Sequence, residues 1–202
     1  MNKQLIDLQP HHWSSDQIMT SQFWSIEDVR WMYYALALAQ QGANRQEVPV
    51  GAVLVHNRQL IGQGFNQPIS SCDATAHAEI IALRDACKNL KNYRLPAQTT
   101  LYVTLEPCTM CVGALIHARV DRLVYAASEP RAGMVGSQMN LLLQSFYNHN
   151  IQVDKGLCSE PSGQMLKTFF RQRRQMMKKR KGDINKEQDT TVDASDDKVF
   201  LL

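Results

Sequence analysis

Two short motifs constrain this chain more than anything else in it: His77-Ala78-Glu79 and Pro107-Cys108-Thr109-Met110-Cys111. A Cys-x-x-Cys pair with one histidine supplies three soft or borderline ligands, a set that suits zinc. Any fold that uses them together must bring two distant segments to one point. Three protein ligands leave a fourth position open, as in catalytic zinc sites, whereas structural sites close with four. Both motifs stand where the pattern predicts a helix to begin. Residues two apart do not share a helix face, so His77 and Glu79 would diverge in mid-helix. At a helix start both can lean toward its open end. The partial positive charge there favours thiolates at Cys108 and Cys111, and Pro107 suits a helix entry, where a missing N–H costs little.

The chemistry of such a set is hydrolytic. Zinc makes a water molecule acidic enough to ionise near neutral pH. Glu79 is not needed as a ligand, so it can take that proton and pass it on, first to a ring nitrogen and then to a leaving amine. The result is loss of an exocyclic amino group from a nucleobase. Two other readings use the same cysteines. A Cys-x-x-Cys can be a redox pair, although no thioredoxin-like context surrounds this one. A closed structural zinc would recruit Cys72 or His117 and leave Glu79 without a role.

The chain has five cysteines, an odd number, and residues 1–17 lack the apolar core of a signal peptide, so a disulfide framework is not expected. No apolar run reaches membrane-spanning length. The expectation is a cytoplasmic protein without a membrane partner. The net charge of +3 hides segregation along the chain. Residues 1–166 hold 12 Lys/Arg against 13 Asp/Glu, residues 167–181 hold eight basic and no acidic residues, and residues 182–202 hold two basic and six acidic. We therefore divide the chain into an N-terminal arm (1–24), a deaminase domain ending in a basic helix (25–181) and an acidic disordered tail (182–202).

Within the domain, Ser25 with Asp28 reads as a capping box. Val29, Met32, Tyr33 and Leu36 follow at helical spacing, with Gly42 as the stop. Val48 to Val55 reads as a buried strand and Leu60-Ile61-Gly62 as its hairpin partner, with 64–73 a loop. Helices are predicted over 76–90, 109–118, 137–147 and 162–181, and strands over 100–105, 122–126 and 151–154. This order suggests an α/β fold, a three-layer α/β/α sandwich around a central mixed sheet.

His-x-Glu followed by Pro-Cys-x-x-Cys is the signature of zinc-dependent nucleobase deaminases. The likeness extends further. Glu47 to Val55, Thr75 to Ile80, Asn92 to Leu95, Leu101 to Cys108 and Phe169 to Arg174 resemble the bacterial tRNA-specific adenosine deaminase family, over about residues 25–180. The resemblance implies a cytidine-deaminase-like fold, a homodimer, one Zn2+ per subunit on His77, Cys108 and Cys111, and Glu79 as proton shuttle. The implied reaction converts the wobble adenosine of a tRNA anticodon to inosine. It also implies that Asn66 contacts the target nucleoside, that Glu129 lies by the substrate loop, and that Phe170, Arg171, Arg173 and Arg174 touch RNA. Ala74 stands where the family usually has proline, and Glu129 where it usually has aspartate.

The basic helix independently suits RNA. Lys and Arg neutralise phosphates, and aromatics beside them suit bases splayed from a single-stranded anticodon loop. The alternatives are a deaminase of free cytidine, deoxycytidylate or guanine, and a non-catalytic RNA-binding module with a structural zinc.

Overall fold

The structure, a computed structural model, describes residues 24–193, and side chains as far as 180. It contains a five-stranded sheet in the order β2-β1-β3-β4-β5. The strands are β1 (Gly51–His56), β2 (Gln59–Phe65), β3 (Thr100–Leu105), β4 (Arg122–Ala127) and β5 (Gln152–Lys155). β2-β1-β3 is antiparallel and β3-β4-β5 parallel, so the sheet is mixed as expected. The helices are α1 (Ile26–Asn44), the four-residue α2 (Pro68–Ser71), α3 (Ala78–Leu90), α4 (Thr109–Ala118) and α5 (Ser159–Asp193).

Helix α1 starts on the expected capping box: Ser25 Oγ accepts the Asp28 N–H (3.0 Å) and the Asp28 carboxylate accepts the Ser25 N–H (3.1 Å). It does not stop at Gly42. That glycine is buried inside the helix, which runs on to Asn44. Trp31, Met32, Ala35 and Leu38 of α1 pack on one sheet face with Val53, Val55, Tyr102 and Val124. Alternate strand residues point to the opposite face. There α3 lies against β2 and β1, and α4 against α3. Gly62 sets that closeness, because a Cβ on it would stand 2.4 Å from the Ala82 carbonyl oxygen of α3. The hairpin turns on Asn57 and Arg58, both left-handed (φ 49° and 61°), the pair that a two-residue turn matched to strand twist requires.

The helix expected over 137–147 does not form. Val135 pairs with Asn140 in an isolated bridge, and one 3-10 turn follows at Leu141–Leu143. A side chain competes for the backbone here: Asn140 Oδ1 accepts the Leu142 N–H, which a helix would pair with the carbonyl four residues back. Nor is the apolar pattern buried within the chain, since Leu143 is 78% and Phe146 73% exposed. The last helix begins at Ser159 rather than 162 and continues past Lys181 to Asp193. The step from basic to acidic at 181/182 is thus a step in charge along one helix. Of the two flanking segments, residues 1–23 and 194–202 lie outside the described residues.

The chain divides into two compact units, 1–165 and 166–202. The first holds the sheet; the second is described only as the greater part of α5. No helix among the described residues is long and apolar enough to cross a membrane.

At the start of the parallel strands, Asp28 joins cap and sheet. Its Oδ1 accepts from the Tyr102 hydroxyl (2.8 Å) and from Arg122 Nη1 (2.6 Å), and Arg122 Nε reaches Asp154 at 2.7 Å. Burial works to raise the Asp28 pKa, but hydrogen bonds from Arg122, Ser25 and Tyr102 outweigh it and hold the carboxyl below its ordinary value of 3.8. A depressed carboxylate stabilises the fold fully above its unfolded pKa and loses that contribution as pH falls through the folded one. Asp28→Asn is expected to cost about 2 kcal/mol at neutral pH. It should also flatten the loss of stability below about pH 5 relative to the unmodified protein, as read by denaturant titration across pH. Parallel acid limbs for both proteins would contradict this.

Candidate metal centre and active site

The two ligand motifs occupy equivalent places on two helices. His77 is the N-cap of α3 and Cys108 the N-cap of α4, each in extended backbone, and neither side chain caps its helix. Both side chains are therefore free to turn outward. Cys111, three residues on and fully buried, faces the same way from the first turn of α4. His77 Nδ1 lies 3.6 Å from both sulfurs, which are 3.7 Å apart. Tetrahedral zinc with Zn–S near 2.3 Å and Zn–N near 2.0–2.1 Å spaces its sulfurs by about 3.8 Å, and nitrogen from sulfur by about 3.6 Å. The donor triangle fits that ion in size and in chemistry.

Among the described residues the cluster comprises these three donors. Cys72 is exposed, with its thiol directed to the Ile69 carbonyl. His117 lines a separate surface pocket with Tyr93 and Phe146. Neither supplies the fourth ligand of a closed site.

The charges are interlocked. The Cys108 thiol is pushed down to about 4, first by its hydrogen bond with Cys111 and then by His77. Cys111 is pushed up by Cys108 and by burial. His77 is raised by its contact with Cys108. Glu79, the second residue of α3, is buried at 4% exposure. Burial, more than any charge, raises its carboxyl above the ordinary glutamate value, and the Cys108 thiolate adds to that. A buried carboxyl beside the donor triangle is placed to take and give a proton.

Asn66 follows β2 and is buried. Its Oδ1 accepts the Ala78 N–H at 2.8 Å, one of the donors that a helix start leaves unpaired. Asn66 thus does for α3 what the N-cap His77 does not. The Asp73–His77 stretch is braced by Asp73, which accepts from the Thr75 N–H (2.8 Å) and hydroxyl (2.7 Å) and pairs with Arg84 at 3.2 Å. Ala74 lies inside this turn.

Glu129 lies in the loop after β4. Its carboxylate accepts the Arg131 N–H (2.9 Å), and its own N–H donates to Glu106 (3.0 Å). Phe170, Arg171, Arg173 and Arg174 are exposed on α5. Phe170, Arg173 and Arg174 line a shallow cavity of about 410 Å³ with Met177 and Lys178.

Two buried carboxylates escaped the sequence reading. Glu47 (1% exposed) accepts the Ile69 and Ser70 N–H groups at the start of α2, three and four residues after Asn66. Glu106 (3% exposed) sits directly before Pro107. Burial alone would raise its pKa, but the Ser137 hydroxyl and backbone N–H groups hold it below the ordinary value. A charged residue closing an apolar strand is the one signal that could have flagged Glu106.

The family described as MafB19-like deaminase matches residues 26–174. The tRNA-specific adenosine deaminase of Haemophilus influenzae is 49% identical over 152 residues, which cover 75% of this chain and 87% of that protein. The tRNA-specific adenosine deaminase of Bacillus subtilis is 41% identical, covering 75% and 94%. A solved structure from work on A-to-I editing by tRNA:A34 deaminases at the wobble position is 42% identical with a TM-score of 0.66, covering 68% of this chain and 99% of that one. A guanine deaminase from Nitrosomonas europaea is 26% identical, with a TM-score of 0.59 over 70% of this chain and 83% of that one.

If the three donors hold one ion, Cys108→Ala should lower the melting temperature as far as a chelator lowers that of the unmodified protein, because both remove the same ligand-linked stabilisation. The two treatments should not add. Additive losses in a thermal scan would show that Cys108 stabilises by another route.

Proposed function

The chain belongs to the tRNA-specific adenosine deaminase family, and from that premise we propose that His77, Glu79, Cys108 and Cys111 carry out hydrolytic deamination of the wobble adenosine of a tRNA anticodon. Adenosine and water give inosine and ammonia. The carrying observation is the donor triangle with the buried Glu79 outside it.

His77, Cys108 and Cys111 would hold one Zn2+ per subunit, and that ion supplies acidification of the attacking water. Glu79 takes one proton of the attacking water as the C–O bond forms at C6 of adenine and gives it to the ring nitrogen. It then takes the second proton from the new C6 hydroxyl and gives it to the amine, which leaves as ammonia as the C–N bond breaks and the C6 carbonyl forms. Asn66 orients the nucleoside: its Oδ1 is committed to the Ala78 N–H, so it would serve the nucleoside as a donor through its amide NH2. Glu129 borders the substrate loop. Phe170, Arg171, Arg173 and Arg174 contact RNA, the aromatic ring by stacking and the guanidinium groups by phosphate pairing.

A homodimer accords with the exposure of the large apolar side chains Tyr93, Met139, Leu143 and Phe146. A cytoplasmic location accords with a tRNA substrate. Deamination of a free purine has weaker support, because the guanine deaminase likeness is lower in identity and leaves the basic half of α5 unused.

Incubation of the purified protein with tRNA carrying an anticodon adenosine should raise the tRNA mass by about one dalton, as oxygen replaces NH. Free nucleosides should remain unchanged. Glu79→Ala should keep its fold and metal and lose at least about a hundredfold in rate. Product from free nucleosides alone, or full activity in Glu79→Ala, would overturn the proposal.

A further inference from the structure

Glu106 takes no part in the steps above, yet its carboxylate is among the most heavily bonded groups in the protein. Oε1 accepts the N–H groups of Val135 and Ser137, each at 3.0 Å. Oε2 accepts the Glu129 N–H at 3.0 Å and the Ser137 hydroxyl. All four donors lie within 129–137, a stretch with no helix or strand of its own. The next residue adds another tie, as the Pro107 carbonyl accepts the Met134 N–H at 3.0 Å. Gly133 makes the approach possible: a Cβ there would stand 2.4 Å from the Glu106 carboxylate carbon and 2.6 Å from the Glu129 carbonyl oxygen.

We propose that Glu106 is a positioning residue for the substrate. It suspends the 129–137 loop from the strand end that also carries Cys108, and so fixes Glu129 relative to the ligand triangle. The inference rests on the reading above that Glu129 borders the substrate. A buried carboxylate that served stability alone would satisfy donors of the surrounding core. Here every side-chain bond of Glu106 goes to one loop, and that loop is tied to the residue before a metal ligand. Hydrogen bonds to an ionised carboxylate are about twice as strong as neutral ones, which suits a loop that lacks regular structure. Glu106→Gln keeps the shape but turns an NH2 group toward donors that need an acceptor.

The test is steady-state kinetics on an anticodon stem-loop RNA, with zinc content measured alongside. Three variants perturb one contact in three ways: Glu106→Gln exchanges an acceptor for a donor, Gly133→Ala pushes the loop off the carboxylate, and Ser137→Ala removes one bond. The first two should raise KM about tenfold or more, with kcat within about threefold and zinc unchanged. Ser137→Ala should move KM the same way by less. If Glu106→Gln fails to fold, Gly133→Ala and Ser137→Ala carry the same expectation. Unchanged KM in the folded variants, or loss of kcat at constant KM, or loss of zinc in step with activity, would overturn the inference. Absence of inosine with the unmodified protein would instead refute the functional reading on which it rests.

Discussion

Three donor atoms from two helix starts meet in one triangle of the size that zinc requires, and the rest of the domain serves that arrangement. His77 Nδ1 and the two sulfurs stand 3.6–3.7 Å apart, although 31 residues separate His77 from Cys108. The sheet makes this possible. Cys108 follows the carboxyl end of β3, where open α/β sheets place their sites, and α3 is pressed on β2 and β1 at a glycine, Gly62. Both helices point their positive ends at the ligands, which favours thiolate over thiol.

That arrangement has a cost at the helix ends. Serine, aspartate or asparagine usually caps the first turn, but here a histidine and a cysteine hold the N-cap positions and give their side chains to the donor triangle. Asn66 supplies the missing acceptor for Ala78. The buried carboxylates divide the work between them. Asp28 ties α1 to the start of the parallel strands, whereas Glu106 ties the loop beyond β4 to their far end. The charged network and the reacting centre thus stand at opposite ends of the sheet.

What could be read in the sequence was local. The Ser25–Asp28 box, the strand over 100–105 and the helix over 109–118 each have their causes within a few residues, and the structure has them at those bounds. The ligand set was legible because metal chemistry admits few residue types at such spacing. Asn66 was legible only through family likeness, since its partner is 12 residues away and its residue type is common in loops. The partners of Glu106 were not legible, because they lie 23 to 31 residues on. The expected helix over 137–147 fails for a local reason: Asn140 Oδ1 takes the Leu142 N–H that a helical turn would pair with the carbonyl four residues back.

The central claim is an open three-ligand zinc site with Glu79 outside it. Zinc-edge X-ray absorption of the purified protein, with and without Glu79→Ala, tests that claim most directly. The account predicts two sulfur and one nitrogen protein ligands plus one light-atom ligand from solvent, with both sulfurs and the nitrogen retained in Glu79→Ala. A shell closed by a third sulfur, or a protein ligand lost with Glu79, would contradict it.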